Sequence, residues 1–134
     1  LCEKLDGKMH YNSQAALFGQ SVKEMRKILR LYGGRDVNIY LGAGDLYVTV
    51  FGGRTRLIGT LLGKGYPIDE AKKELAGVTL ESIVIAERTA RAVRSSIARG
   101  EAKAEDFPLL MYIDGLLAGE SAAGIPWDAF EEEM

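Results

Sequence analysis

"DVNIYLGAGDLYVTVFGGRTR", residues 36–56, can be read in two ways, and the two give different architectures. "DVNIYL" (36–41) alternates, and "LYVTVF" (46–51) is β-branched and aromatic, so propensity alone makes both strands. Strand signals are sparse elsewhere, and a lone strand has nothing to pair its backbone groups with. The expectation is therefore helix or extended loop for both, with short helices over 44–51 and 54–63.

The flanking sequence is helical. In 13–32, Phe18, Val22, Met25, Leu29 and Tyr32 recur at steps of four and three, the spacing of one helix face. Gln20, Lys23, Lys27 and Arg30 fall on the wet side, Asn12 or Ser13 can cap the start, and Gly33-Gly34 supplies a left-handed stop. A second helix is predicted over 67–76, with Pro67 near its first turn, Asp69 and Glu70 early, and Gly77 beyond its end. A third runs over 80–99 with Ile83, Ala86, Ala90, Val93 and Ile97 on one face and Gly100 after it. A fourth begins near Asp106, tolerates Pro108 in its first turn, and turns Leu110, Ile113 and Leu117 inward. The prediction is one mainly helical domain over 1–134, all-α, of about six to eight helices.

The totals are consistent with this. The chain has 134 residues, 47% hydrophobic and 27% charged, the balance of an ordinary globular domain. No apolar run approaches the ~20 residues of a membrane span, and no signal peptide is visible at the N-terminus. A net charge of −2 argues against broad nucleic-acid binding, which needs a basic face. The single cysteine, Cys2, excludes an internal disulfide and fits a reducing cytoplasm. With one histidine, His10, neither a zinc site nor a Ser-His-Asp triad is expected, and no metal is assigned.

Glycine, aspartate and arginine crowd together in 42–56. A dinucleotide fingerprint needs G-x-G-x-x-G between a strand and a helix, but Gly42-Ala43-Gly44 is followed by Asp45, and position 47 is tyrosine. The P-loop ending is also missing, because Gly63-Lys64 leads into Gly65. One remaining reading has the glycines admit a ligand close to the backbone. Arg54, opening a helix after Gly52-Gly53, would hold an anion bidentately, and Asp45 would accept from a hydroxyl. That pair suits a small molecule with a phosphate and a hydroxyl. The other reading is a surface turn with a structural Asp45–Arg54 pair.

Other features have plainer readings. His10 precedes a helix and reads as a capping or partly buried residue. Arg88, Arg91, Arg94 and Arg99 form a solvated face or an anion groove, the first being the ordinary outcome. "IPWDAF" (125–130) packs the C-terminus down, and the closing "EEE" reads as a frayed end.

"GAGDLYVTVFGGRTRLIGTLLGKG" (42–65) resembles the substrate-domain signature of NAD(P)-dependent glycerol-3-phosphate dehydrogenases. That pattern runs Gly-Asp-Leu, a threonine four residues after the aspartate, Gly-Arg-Asn-Arg and a trailing glycine. "LDGKMHYNSQAALFGQSVKEM" (5–25) is similar to the segment leading into the domain's first long helix, and "GVTLESI" (77–83) to a loop carrying a glutamate. The departures are Thr55 in place of asparagine, and the lack of both a cofactor fingerprint and a Lys-Asn motif.

The resemblance implies a helical C-terminal domain of the 6-phosphogluconate-dehydrogenase-like type, serving substrate binding and dimerisation. It implies an N-terminal Rossmann domain, absent from this chain, that holds NAD or NADP and brings the catalytic lysine. The implied reaction interconverts dihydroxyacetone phosphate and sn-glycerol 3-phosphate. Asp45 would contact a substrate hydroxyl and the lysine ammonium, and Thr49 would support it one helical turn later. Arg54, with the N–H groups of Gly53 and Thr55, would bind phosphate. Arg54 and Glu81 would contact cofactor. The isolated chain is expected to be inactive and the whole enzyme cytoplasmic, a homodimer being plausible. The alternative from another class is a helical binding or oligomerisation module without chemistry.

Overall fold

Both debated stretches are helical. The computed structural model describes residues 8–77, 81–120 and 124–130, and none of them forms a β-strand. Six α-helices follow in order: α1 (Tyr11–Leu31), α2 (Asn38–Gly52), α3 (Thr55–Gly63), α4 (Ile68–Glu74), α5 (Glu81–Ala98) and α6 (Pro108–Leu117). Short 3-10 turns lie at Ala104–Asp106 and Trp127–Phe130. The region expected to hold a short helix over 44–51 is a longer one starting at Asn38, so "DVNIYL" enters it after one turn. Packing against α1 overrides the β-branched composition of 46–51.

α1 begins earlier than expected. His10 occupies the N-cap position without a side-chain cap hydrogen bond, so Asn12 and Ser13 lie inside the first turn rather than capping it. The far end follows the prediction: Gly33 takes φ 76°, its N–H reaches Arg30 O, and Gly34 N–H reaches Leu29 O. These are the paired bonds of a Schellman stop. Tyr32, expected on the apolar face, lies past the last turn and is half exposed, its hydroxyl 3.2 Å from Ser96 Oγ.

One core joins the second half of the chain. Ile58 and Leu62 of α3, Ile68 and Ala71 of α4, Ile83 of α5, and Leu109, Tyr112, Leu116 and Leu117 of α6 pack into a single cluster. On α6 Leu117 is buried as expected, while the rest of the inward stripe is Leu109, Tyr112 and Leu116, with Leu110 and Ile113 half-buried beside it. On α5 the predicted face holds, with Ser96 buried among its apolar residues. Ile125 and Phe130 pack against this core and bring the C-terminal segment down, as "IPWDAF" suggested. "EEE" and Cys2 lie outside the described residues, as do residues 78–80 of "GVTLESI".

α1 links this core to α2. Met25 occupies the space beside Gly42, and the Phe18 and Tyr47 rings meet edge-on at 6.5 Å, so the two helices run antiparallel. On its other side α1 presents Gln20 and Glu24, which are buried, against the expectation that Gln20 faced water. Glu24 accepts the N–H of Leu109 at 2.7 Å and of Leu110 at 2.8 Å, while Gln20 donates to it at 2.8 Å. The first N–H groups of α6 lack helical partners, and a carboxylate from α1 supplies them. Lys27 adds an ion pair to Asp106 at 3.2 Å.

Candidate functional site

The turn between α2 and α3 places the residues of interest. α2 ends at Gly52, Gly53 is extended, and α3 begins at Thr55 with Arg54 at its N-cap position. Gly53 N–H donates to Thr49 O at 2.8 Å. That N–H closes α2, so it is not the phosphate donor expected of it. A Cβ at position 53 would stand 2.6 Å from Thr49 Cγ2 and 2.7 Å from Thr49 O, which only glycine avoids. The turn is tight: α2 ends at Gly52 and α3 begins at Thr55.

The glycines of 42–56 therefore do different things. Gly42 makes room for Met25 between α1 and α2, and Gly53 makes the turn. A Cβ at Gly44 or Gly52 would meet open space. Close approach of backbone to backbone, and of helix to side chain, accounts for two of them without a ligand.

The two arginines also part company. Arg56 Nη1 donates to Phe51 O at 3.1 Å and ties down the end of α2. Arg54 is exposed, and neither its side chain nor that of Asp45 makes an ion pair or hydrogen bond among the described residues. The structural Asp45–Arg54 pair is thus not formed. Arg54 instead lines a cleft of about 260 Å³ with Thr49, Gly53, Thr55, Glu81 and Ser82. Thr49 comes from the last turn of α2, Gly53 to Thr55 from the turn into α3, and Glu81 and Ser82 from the start of α5.

Five of the six sequence-selected residues thus meet in one place. The sixth, Asp45, is exposed one turn before Thr49 on the same side of α2, beside the cleft but outside its lining. Ser82 was missed. It stands next to Glu81, and Thr55 Oγ1 donates to its Oγ at 2.5 Å. A hydroxyl in the first turn of a helix is ordinary in sequence, and only the approach of α5 to α3 gives it meaning.

Chemically the cleft offers a guanidinium, a carboxylate, three hydroxyls and the N–H groups that open α3, of which Arg56 and Leu57 N–H bond to Gly53 O and Arg54 O. It can hold an oxyanion at Arg54 and accept a hydroxyl proton at Glu81 or Asp45. An apolar groove of about 290 Å³ adjoins it across Thr49 and Thr55, with Leu17, Phe18, Leu46 and Val50 in its walls.

The remaining candidates lie elsewhere. Arg94 pairs with Asp114 at 3.0 Å and Arg99 with Glu101 at 2.8 Å, while Arg88 and Arg91 are exposed, so the four make a solvated face. The Glu101 carboxyl is held below its usual range by Arg99, as is Asp36 by Arg30. No group of three metal-ligating side chains occurs among the described residues, and no helix there is long and apolar enough to cross a membrane.

The chain is similar to known proteins along most of its length. A family model described as the NAD-dependent glycerol-3-phosphate dehydrogenase C-terminus matches residues 1–124. An NADP(+)-dependent glycerol-3-phosphate dehydrogenase of Archaeoglobus fulgidus is 41% identical over 66 residues, 48% of this chain and 20% of its own length. A glycerol-3-phosphate dehydrogenase [NAD(P)+] of Clostridium botulinum is 38% identical over 76 residues, 54% of this chain and 23% of its own. One from Acidobacterium capsulatum is 26% identical over 116 residues, 84% of this chain and 32% of its own. The chain thus spans a fifth to a third of the curated relatives it matches. No solved structure gives a significant match.

Proposed function

The chain belongs to the C-terminal family of NAD-dependent glycerol-3-phosphate dehydrogenases, and from that premise we propose that it forms the phosphate-holding wall of such an enzyme's cleft. The reaction is the interconversion of dihydroxyacetone phosphate and sn-glycerol 3-phosphate with NAD(P)H. The supporting observation is Arg54: a guanidinium without a protein partner among the described residues, lining a cleft with Thr49, Gly53, Thr55 and Glu81.

The roles follow from position. Arg54 presents two parallel N–H donors to the substrate phosphate, with the N–H of Thr55 beside it. Gly53 lets the turn bring that guanidinium back toward α2. Asp45 and Thr49, one turn apart on α2, face the substrate's hydroxyl end, and Asp45 also orients the ammonium of the catalytic lysine. That lysine and a Rossmann domain for the cofactor belong to polypeptide outside this chain.

The residues here fit one edge of a dinucleotide, not its body. Arg54 suits a diphosphate oxygen and Glu81 a hydroxyl, while about 260 Å³ lies below the ~300–1,000 Å³ of pockets that enclose a drug-sized ligand. Bound NADH or NADPH supplies the hydride. This chain's residues bind, orient and shield the three-carbon substrate.

The exposed apolar face of α2 supports a protein-covered surface in the assembled enzyme. Tyr40, Leu41, Tyr47, Val48 and Phe51 are all more than half exposed. A homodimer is one form that covers it, and the single cysteine supports a cytoplasmic setting.

The test is turnover by protein made from the reading frame extended upstream of Leu1. NADH or NADPH oxidation should depend on dihydroxyacetone phosphate, and the 134-residue chain alone should be inactive. A folded extended protein that turns over neither cofactor contradicts the proposal.

A further inference from the structure

The α5 side of the cleft is made by Glu81 and Ser82, and Ser82 is bonded to Thr55 across it at 2.5 Å. Two hydroxyls carry two protons between them. Their mutual bond consumes one. Whichever oxygen donates, a single O–H is left over. Neither residue makes a further side-chain hydrogen bond among the described residues, so that proton has no acceptor on the protein there. Glu81, the carboxylate in the lining, takes no hydrogen bond from it.

The direction of the bond matters as well. Thr55 Oγ1 donates and Ser82 Oγ accepts. A hydroxyl that accepts one hydrogen bond becomes a stronger donor in the next, because the two polarise each other. The leftover proton therefore sits on Ser82, on a strengthened donor, in the wall of the cleft that Arg54 lines. Ser82 is exposed and lines the same cleft as Arg54, so one acceptor seated there can be shared by the O–H and the guanidinium. An oxyanion has acceptor lone pairs for both donors and a charge opposite to the guanidinium, and a second cation has neither.

We propose that Ser82 is a ligand-binding residue of this cleft, donating a hydrogen bond from its hydroxyl to an oxygen of the phosphate that Arg54 holds, with Thr55 as the residue that positions it. This rests on the reading of the cleft as a phosphate site.

Titration of the ¹⁵N-labelled 134-residue chain with inorganic phosphate tests it, following the amides of Arg54, Thr55 and Ser82. Ser82→Ala should weaken phosphate about tenfold, the loss of one hydrogen bond to a charged group. Ser82→Thr should bind like the wild type. Thr55→Val should weaken binding less than Ser82→Ala, and the double variant should be no weaker than Ser82→Ala, because the two act as a unit. Melting temperatures and amide shifts away from the cleft should stay unchanged in all of these. Binding lost in Arg54→Ala but intact in Ser82→Ala overturns the proposal and leaves the phosphate reading standing. No phosphate-dependent shift in the wild type overturns both.

Discussion

Arg54 and Arg56 stand two positions apart, yet Arg56 is tied to Phe51 O while Arg54 faces a cleft. Replacing Arg54 by alanine should leave the melting temperature alone and lower kcat/KM of the extended enzyme by at least about a hundredfold, the ~2–3 kcal/mol of a charge-assisted hydrogen bond. Asp45→Asn should lower kcat more than it raises KM if the carboxylate orients a lysine. A pure KM effect assigns it to binding alone. The residues of this site were legible in the sequence as an arginine after two glycines and an aspartate on the preceding segment. Two things were not. The Gly53 N–H is committed to Thr49 O, which depends on how α2 ends. Ser82 comes from 27 positions beyond Thr55, and no local pattern joins them. The same bond bears on Thr55, which stands where the resembling pattern has asparagine. In our proposal, two hydroxyls from two helices provide the donor and acceptor that one amide would.

Among the elements, α6 depends most on a residue of another helix. Its N-cap residue, Phe107, provides no side-chain cap, and Glu24 of α1 takes over. Glu24→Ala removes the acceptor for the buried Leu109 N–H and the part-buried Leu110 N–H and should destabilise the chain by roughly 3 kcal/mol, at about 1.5–3 kcal/mol for each hydrogen bond to a charged group. Urea denaturation measures this directly, and a loss under 1 kcal/mol counts against the cap. Sequence periodicity placed Glu24 nowhere in particular and put Gln20 in water. A 3.6-residue pattern finds apolar faces, and α1 buries a polar one because the end it covers is a row of N–H groups. α2 shows the reverse case. Its composition is strand-like and apolar, none of its residues is buried, and it is a helix because α1 lies along it. Leu41→Lys with Val48→Lys should leave the isolated chain folded, since both are exposed, and should reduce its binding of a hydrophobic dye. In the extended enzyme the same pair should impair assembly or activity.

For the whole molecule, the core formed by α3 to α6 carries stability, and α2, packed against α1, carries one wall of the candidate site on its flank. Burial raises the Tyr112 phenol above its usual range. An acid whose folded pKa exceeds its unfolded one contributes stability below the unfolded value and loses it as pH rises toward the folded one. Stability should therefore decline above about pH 10, and Tyr112→Phe should flatten that limb in denaturation series across alkaline pH. All-α class, helix order and most helix ends were legible, because glycine stops and proline starts are local. Helix α2 was only half legible, since its pairing with α1 joins residues 25 and 42, and 18 and 47.

The measurement that bears most directly on Arg54 compares phosphorylated and unphosphorylated substrate. In the extended enzyme, kcat/KM for dihydroxyacetone phosphate and for dihydroxyacetone is determined for wild type and for Arg54→Ala. If Arg54 grips the phosphate, the wild type strongly prefers the phosphorylated substrate, and the variant loses about a hundredfold on that substrate while its rate on dihydroxyacetone is nearly unchanged. Equal losses on both substrates would contradict the assignment and place Arg54 in cofactor binding or in the fold instead.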